Sequence, residues 1–554
     1  MKPNSLTIMG LLCVSGVASA GGLFLPGAGS ISTARAGAGV ASADDGEALA
    51  LNPAGIAKSK GTTLSIGISA IDYIMSFQRN GNYDALANDA TTYEGQRYPV
   101  VENDPHPPLG IGPVQPVPVI AIITDLGQQI PSLRSALHGD IHGAFGVYAP
   151  NAYPFRSMTK MNGKSWTFGA DFSEAPPPSR YDIIEQEAAI ILPSVALSYS
   201  PDFIPGLDLG GRFSLGLAEL KSTVALWGQP ANYAEWIKED GIIKLDAKQN
   251  FLTAWSVGAA YHPTPAIEFG AQYVAQLDIT AKGDATPTNG PNVTLNSAPI
   301  IIVPPPDDVA RCAPGGHAAS SADPTTVLKG CAELALPMTL TIGGRYKFLT
   351  TEGGMKGDIE LDLDYEHWGA DRVSNYRVNI DGQVATASMP MNGIDLKPSV
   401  IAHGLKDTYA ARLGGSWSIP VAENAVIVRG GVSYDTAAAK TGWERADIDG
   451  AARTMIAAGG SYKMKKTQVD IGFGVILEGT RTDPRTCNPT AGAMMGCNPD
   501  GTTGSGVDQT PDKRQGPDPI NPLLGPNSQF ENPTNAGTYK SHYLIFTLGF
   551  SQRF

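Results

Sequence analysis

The sequence predicts an all-β protein, a transmembrane antiparallel β-barrel, on three observations. Segments of about ten residues alternate apolar and polar side chains along most of the chain. No stretch beyond residue 20 approaches the run of about 18 apolar residues that marks a membrane helix. The chain also opens on an export leader: Lys2, then the compact apolar stretch Ile8 to Ala18, then Ala18-Ser19-Ala20 as a small-x-small cleavage pattern. Residues 1–20 are therefore set apart as a signal peptide. Cys13 lies inside it, and the large Leu12 argues against a lipoprotein site.

Residues 21–60 follow, rich in Gly, Ala and Ser and without alternation, which is poor strand material. Gly37 and Gly39 resemble a phosphate loop only superficially, since no strand precedes them and no Lys-Ser/Thr follows. The barrel is expected over 61–554, with a first strand near Thr62. Trp255, Val257, Ala259 and Tyr261 alternate before the turn His262-Pro263-Thr264-Pro265. Ile267, Phe269, Ala271 and Tyr273 then oppose Glu268 and Gln272. Beyond Gly353-Gly354, Ile359, Leu361, Leu363 and Tyr365 alternate with Asp358, Glu360, Asp362, Asp364 and Glu366. Those acids cannot face lipid and must face water or a polar lumen. Arg345 and Lys347 come opposite Glu360 and Asp358 across this hairpin.

Leu207–Leu217, Tyr409–Ile419, Val426–Tyr434 and Val469–Leu477 repeat the rhythm, giving about a dozen to fourteen strands. Long polar stretches at 79–119, 151–180, 222–250, 282–337, 370–406 and 480–540 read as loops on one side, with 282–337 and 480–540 as enlarged insertions. Residues 103–118 are proline-rich and expected to be extended. The last strand reads Leu544, Phe546, Leu548, Phe550, Gln552, Phe554 on one face, and Phe554 looks like the assembly signal read by barrel assembly machinery.

The formal charge of −13 argues against nucleic acid as a partner. Cys312, Cys331, Cys487 and Cys497 fall into two local pairs. In an oxidising compartment these read as the disulfides Cys312–Cys331 and Cys487–Cys497. A zinc site is the alternative, but C-x-x-C is missing and only His317 is near; neither metal nor cofactor is expected. None of the eight His sits in a nucleophile motif, so no enzyme is expected.

Ala43-Asp44-Asp45 followed by Asn52-Pro53-Ala54 resembles the amino-terminal region of the FadL family of long-chain fatty-acid transporters. Gly146-Val147-Tyr148-Ala149-Pro150, Pro193-Ser194-Val195-Ala196, Leu336-Pro337, Trp368, Lys406-Asp407-Thr408 and Arg429-Gly430-Gly431-Val432-Ser433-Tyr434-Asp435 extend the resemblance in the family's order. It implies a monomeric outer-membrane barrel of fourteen strands, with residues 21–60 as a luminal plug, or hatch. It also implies long extracellular loops and passive uptake of fatty acids or other hydrophobic compounds, released through a lateral opening into the outer-membrane lipid. An adhesive or structural barrel and a general porin are the alternatives. Inward cations are the candidates for a ligand carboxylate: Arg212, Arg345, Lys347, Arg412 and Arg429. Arg412 and Arg429 rank first because fewer acids stand near them in the sequence. The lateral opening should disturb pairing at a Gly or Pro inside an early strand, and Pro193 is its candidate.

Overall fold

The computed structural model describes residues 22–83, 92–107, 110–150, 152–226, 235–295, 298–320, 325–351, 354–386, 389–440, 442–448, 450–483 and 534–554. Fourteen antiparallel strands close a barrel. They are β1 (Thr62–Arg79), β2 (Gln115–Asp125), β3 (Gly139–Tyr148), β4 (Glu185–Pro201), β5 (Leu207–Leu226) and β6 (Gly241–Thr264). Next come β7, in two pieces (Ile267–Val274 and Leu277–Asn289), and β8, also in two (Leu328–Leu336 and Thr339–Leu349). β9 (Met355–Glu366), β10 (Thr408–Val421), β11 (Asn424–Asp435), β12 (Arg453–Lys463), β13 (Thr467–Thr482) and β14 (Gly537–Arg553) complete the wall. β14 pairs with β1 from Thr63↔Arg553 to Arg79↔Gly537, so the sheet has no free edge. That closure is what lipid demands of any sheet that spans it.

The alternation read in the sequence is the division between wall faces. Ile66, Ile68, Phe145, Val195, Leu197, Phe213, Phe473 and Phe546 are exposed on the outside, where lipid would cover them. Ser65, Ser69, Ser198, Ser214, Glu268, Asp358, Glu360 and Asp362 are buried on the inside. Short turns such as 202–206, 265–266 and 422–423 join strands at one end, together with the helical connection 126–138, and the longer described connections lie at the other. This is the asymmetry of short periplasmic turns and long extracellular loops.

On one side of the barrel the strands outrun the membrane. β6 has 24 residues, where a tilted membrane strand needs about 9–11. Its first half pairs with the second piece of β7 (Gly241↔Asn289 to Lys248↔Lys282), which pairs in turn with the start of β8. Asn375–Asp381 adds to that edge of β8, and Ser399–Ala402 adds to Asn375–Asp381. The stretches 222–250, 282–337 and 370–406 therefore contain strand as well as loop, which corrects their reading as loops. Their weak alternation is the cause: this extension is covered on both faces in places, as with Ile242 and Ile243, so apolar residues fall on both. Cys312 and Cys331 are disulfide-bonded, tying the connection after β7 to β8. Cys487, Cys497 and the leader lie outside the described residues.

Residues 22–60 run along the inward face of the wall. They begin near the long-loop end, where Phe24 bridges Ala152 and its carbonyl accepts from Arg453 Nη1 at 2.6 Å. Helix α1 (Ser30–Ala34) ends on two left-handed residues, Ala36 and Gly37, which turn the chain back. Helix α2 (Ala48–Leu51) leads into Asn52, which caps the 3-10 turn Pro53–Lys58 through Ala54 N–H at 3.1 Å. The Asn52 amide also donates to Val40 O at 2.8 Å and to Ala259 O of β6 at 3.1 Å. The wall accommodates this turn with two glycines. A Cβ on Gly258 would overlap the Asn52 side chain, and one on Gly210 the Pro53–Ala54 backbone.

Gly258→Leu should therefore leave a folded barrel, checked by heat-shifted gel mobility, while loosening residues 22–60. Trypsin cleavage after the buried Arg35 and at Lys58 should quicken by roughly tenfold or more, the effect of about 1.4 kcal/mol of local destabilisation. Unchanged cleavage would mean that Asn52 does not hold the segment.

Candidate functional site

The lower lumen is filled by polar bonds between wall and segment. Arg35 pairs with Asp358 (2.8 Å) and Glu360 (2.7 Å), all fully buried. Asp362 accepts the N–H groups of Gly39 and Val40 at 2.7 and 3.0 Å, and Glu360 those of Ala41 and Ser42 at 2.7 and 3.1 Å. The acidic face of β9 is thus a row of acceptors for a segment with few regular hydrogen bonds of its own. From β5 and β7, Arg212 donates to Leu49 O at 2.6 Å and Gln272 to Ala50 O at 2.8 Å.

The cations proposed from sequence belong to this framework. Arg345 bridges Asp358 (2.8 Å) and Glu268 (2.9 Å), and Lys347 also pairs with Glu268. Arg412 pairs with Asp364 and, at 3.1 Å, with Asp435. Arg429 bonds Ser461 and faces Asp470 at 3.6 Å. None of the four lines the cavity described next. Ranking Arg412 and Arg429 first, for want of acids, is corrected by these pairs. Asp364 is on β9, next to the β10 of Arg412; Asp470 is on β13, with only β12 between it and the β11 of Arg429, so both acids are neighbours along the inner face of the wall.

Above the segment, on the long-loop side, is an apolar cavity of about 330 Å3. Leu23 forms part of its floor, and Ile190, Leu220, Ile243, Leu245, Ile279 and Leu334 come from the extended strands. Charges enter the lining from the strands, as the pair Lys221–Glu187 at 3.4 Å, and from the loops, as Lys397 and a cluster about Arg445. Arg445 Nε donates to Asp447 Oδ1 at 2.9 Å and its Nη2 lies 3.5 Å from Asp182 Oδ1. The other Asp447 oxygen meets the fully buried His403 at 2.9 Å. Burial works to raise the Asp447 carboxyl, but Arg445 and His403 outweigh it and hold it below the usual carboxylate range. These residues escaped the sequence reading because they lie in loops without periodicity. The i, i+2 charge pair Arg445/Asp447 was the only signal.

The cavity meets an interruption in the wall. β3 pairs with β2 and β4 only as far as Tyr148 (Val119↔Tyr148 and Tyr148↔Leu192). Beyond it, Ala149, Pro150, Ala152 and Pro154 line the cavity instead. Among the described residues, Glu187 to Ile191 of β4 consequently have no partner on that edge until Arg156↔Gln186, and neither have Pro116 to Pro118 of β2. Both unpaired stretches line the cavity as well. Pro193 lies just below this gap: it is paired with Val147 of β3, while on its other edge the β4–β5 ladder skips 192–193. Phe554 is exposed beyond β14, its N–H donating to Thr62 O at 2.9 Å.

A family model described as outer membrane protein transport protein (OMPP1/FadL/TodX) matches residues 204–483. A FadL homologue from Pseudomonas aeruginosa is 11% identical over 96% of this chain and 100% of its own, with a TM-score of 0.60. The toluene transporters TbuX of Ralstonia pickettii and TodX of P. putida are each 14% identical over 96% of this chain and 99% of theirs, with TM-scores of 0.54. No curated protein matches the chain by sequence. At such identities the solved structures establish the fold; the family model, which spans half of the chain, establishes more. The chain belongs to the OMPP1/FadL/TodX family of outer-membrane transport proteins.

Proposed function

We propose that this protein is a passive channel for hydrophobic molecules, in which residues 22–60 act as a plug and ligand leaves sideways into the membrane. The observation that carries this reading is the cavity itself. It is mostly apolar, it lies toward the long loops, and it reaches the unpaired edges of β2 and β4, above the buried bonds between wall and segment. A hydrophobic molecule gains about 0.8 kcal/mol for each methylene it buries. A route from apolar cavity to lipid lets it avoid the polar lumen entirely. A general porin would need an open aqueous lumen, and an adhesin has no use for the cavity.

Between a fatty acid and a neutral hydrophobe, the charges favour the neutral one. The inward cations are engaged in ion pairs or with the segment, and Arg445 faces two carboxylates. Toluene, which TodX and TbuX transport, is also neutral. One observation supports a fatty acid: Lys397 lines the mouth, exposed, with no ion pair among the described residues. Uptake of labelled toluene and oleate by bacteria lacking their own hydrophobic channels tests both readings. Toluene uptake should rise with this protein present; an increase with oleate alone would select the fatty-acid reading, and no increase with either would overturn the transport reading.

Ala188→Trp places an indole in the cavity beside the gap. It should cut uptake by roughly tenfold without altering heat-shifted mobility, because no comparable space is left for ligand. Pro193→Ala restores an N–H to β4 and favours closure of its ladder beside the gap. A modest fall in uptake, about two- to five-fold, is expected on that account; unchanged uptake would remove Pro193 from the lateral opening.

A further inference from the structure

Tyr376 lies in Asn375–Asp381, the strand added to β8 outside the barrel spans, and lines the cavity. Its ring packs on His403, with centroids 4.4 Å apart, which places it beside the His403–Asp447–Arg445 chain. Its hydroxyl makes no hydrogen bond among the described residues, and His403 Nδ1 beside it has none either, whereas the carboxylates of this corner are engaged. Thr534 and Ala446 N–H donate to Asp182, and Ile448 N–H donates to Asp447. Burial, with the negative charge of Asp447, pushes the Tyr376 hydroxyl up, so it remains a neutral O–H. An uncommitted phenol in a mostly apolar cavity, whose charges apart from Lys397 are paired, is the kind of polar group that orients a ligand.

We infer that Tyr376 is a specificity-determining residue, and that its hydroxyl recognises hydrophobic ligands bearing one neutral oxygen, an alcohol or carbonyl, in preference to carboxylates. The discrimination has two parts. A neutral oxygen bonds the phenol at little desolvation cost. A carboxylate in the same place meets Asp182 and Asp447, which already occupy Arg445 and His403, so it finds no free cation at the phenol and only Lys397 at the mouth. The inference rests on the cavity being the ligand site, as proposed above, but does not require that ligand cross the membrane.

Equilibrium binding of labelled 1-dodecanol, dodecane and dodecanoate to the full-length purified protein at neutral pH tests it, apart from any uptake assay. The wild type should bind dodecanol several-fold more tightly than dodecane, and dodecanoate least. Tyr376→Phe should weaken dodecanol binding several-fold, at most on the order of tenfold for one hydrogen bond, and leave dodecane unchanged. Asp447→Asn removes one acid facing Arg445 and should raise dodecanoate binding several-fold. Equal losses for dodecanol and dodecane in Tyr376→Phe, tightest wild-type binding of dodecanoate, or no binding of any probe would each overturn the assignment. The predicted preference without cellular uptake would instead leave the site standing and sink the transport reading.

Discussion

The structure depends on the acidic face of β9. Five carboxylates on one strand face cannot be turned to lipid, and an empty lumen would leave them crowded together. Three of them, Asp358, Glu360 and Asp362, are buried against Arg35 and the N–H groups of Gly39 to Ser42. The dependence is mutual. Residues 38–46 form little regular structure, so their backbone donors need external acceptors, and the wall supplies them. Breaking such a buried pair by removing one partner costs about 3–5 kcal/mol, so strand and segment specify each other's position.

Among the described residues, the apolar cavity lies above the segment, where the strands continue toward the long loops. β4 to β8 do so, and their extension carries apolar residues inward where the barrel below carries serines and acids. Compare Ile243 and Leu245 with Ser256, all on β6: the first two line or border the cavity and the third faces the segment. One strand therefore serves two environments, a polar lumen and an apolar cavity.

This change of environment explains what could be read from the sequence. Strict alternation exists where one face meets lipid and the other a polar interior, so β1, β9, β11 and β14 were legible, as was Thr62 as the start of the wall. The extension alternates poorly because both of its faces are covered, and 282–337 read as loop although β7 runs to Asn289 and β8 resumes at Leu328. The inward cations were recognised as a set, but their roles were not. Pairings such as Arg429 with Asp470 span strands with no sequence proximity. Tyr376, His403, Arg445 and Asp447 come from separate loop-side stretches that only the closed barrel brings together.

A gap in a membrane sheet raises a difficulty of its own, since an unpaired N–H in hydrocarbon costs several kcal/mol. The residues bordering this gap reduce that cost by lacking the donor. Pro116 and Pro118 stand on the β2 edge, and Pro150 and Pro154 on the withdrawn segment after β3. Proline in a central strand normally weakens a sheet because it removes a ladder bond. Here no ladder partner exists on the open side, so the same property is harmless. It also opposes closure of the wall, since a proline cannot supply the N–H that a completed ladder would use. The proline-rich run that the sequence marks as merely extended is therefore, at its carboxyl end, the edge of this interruption in pairing.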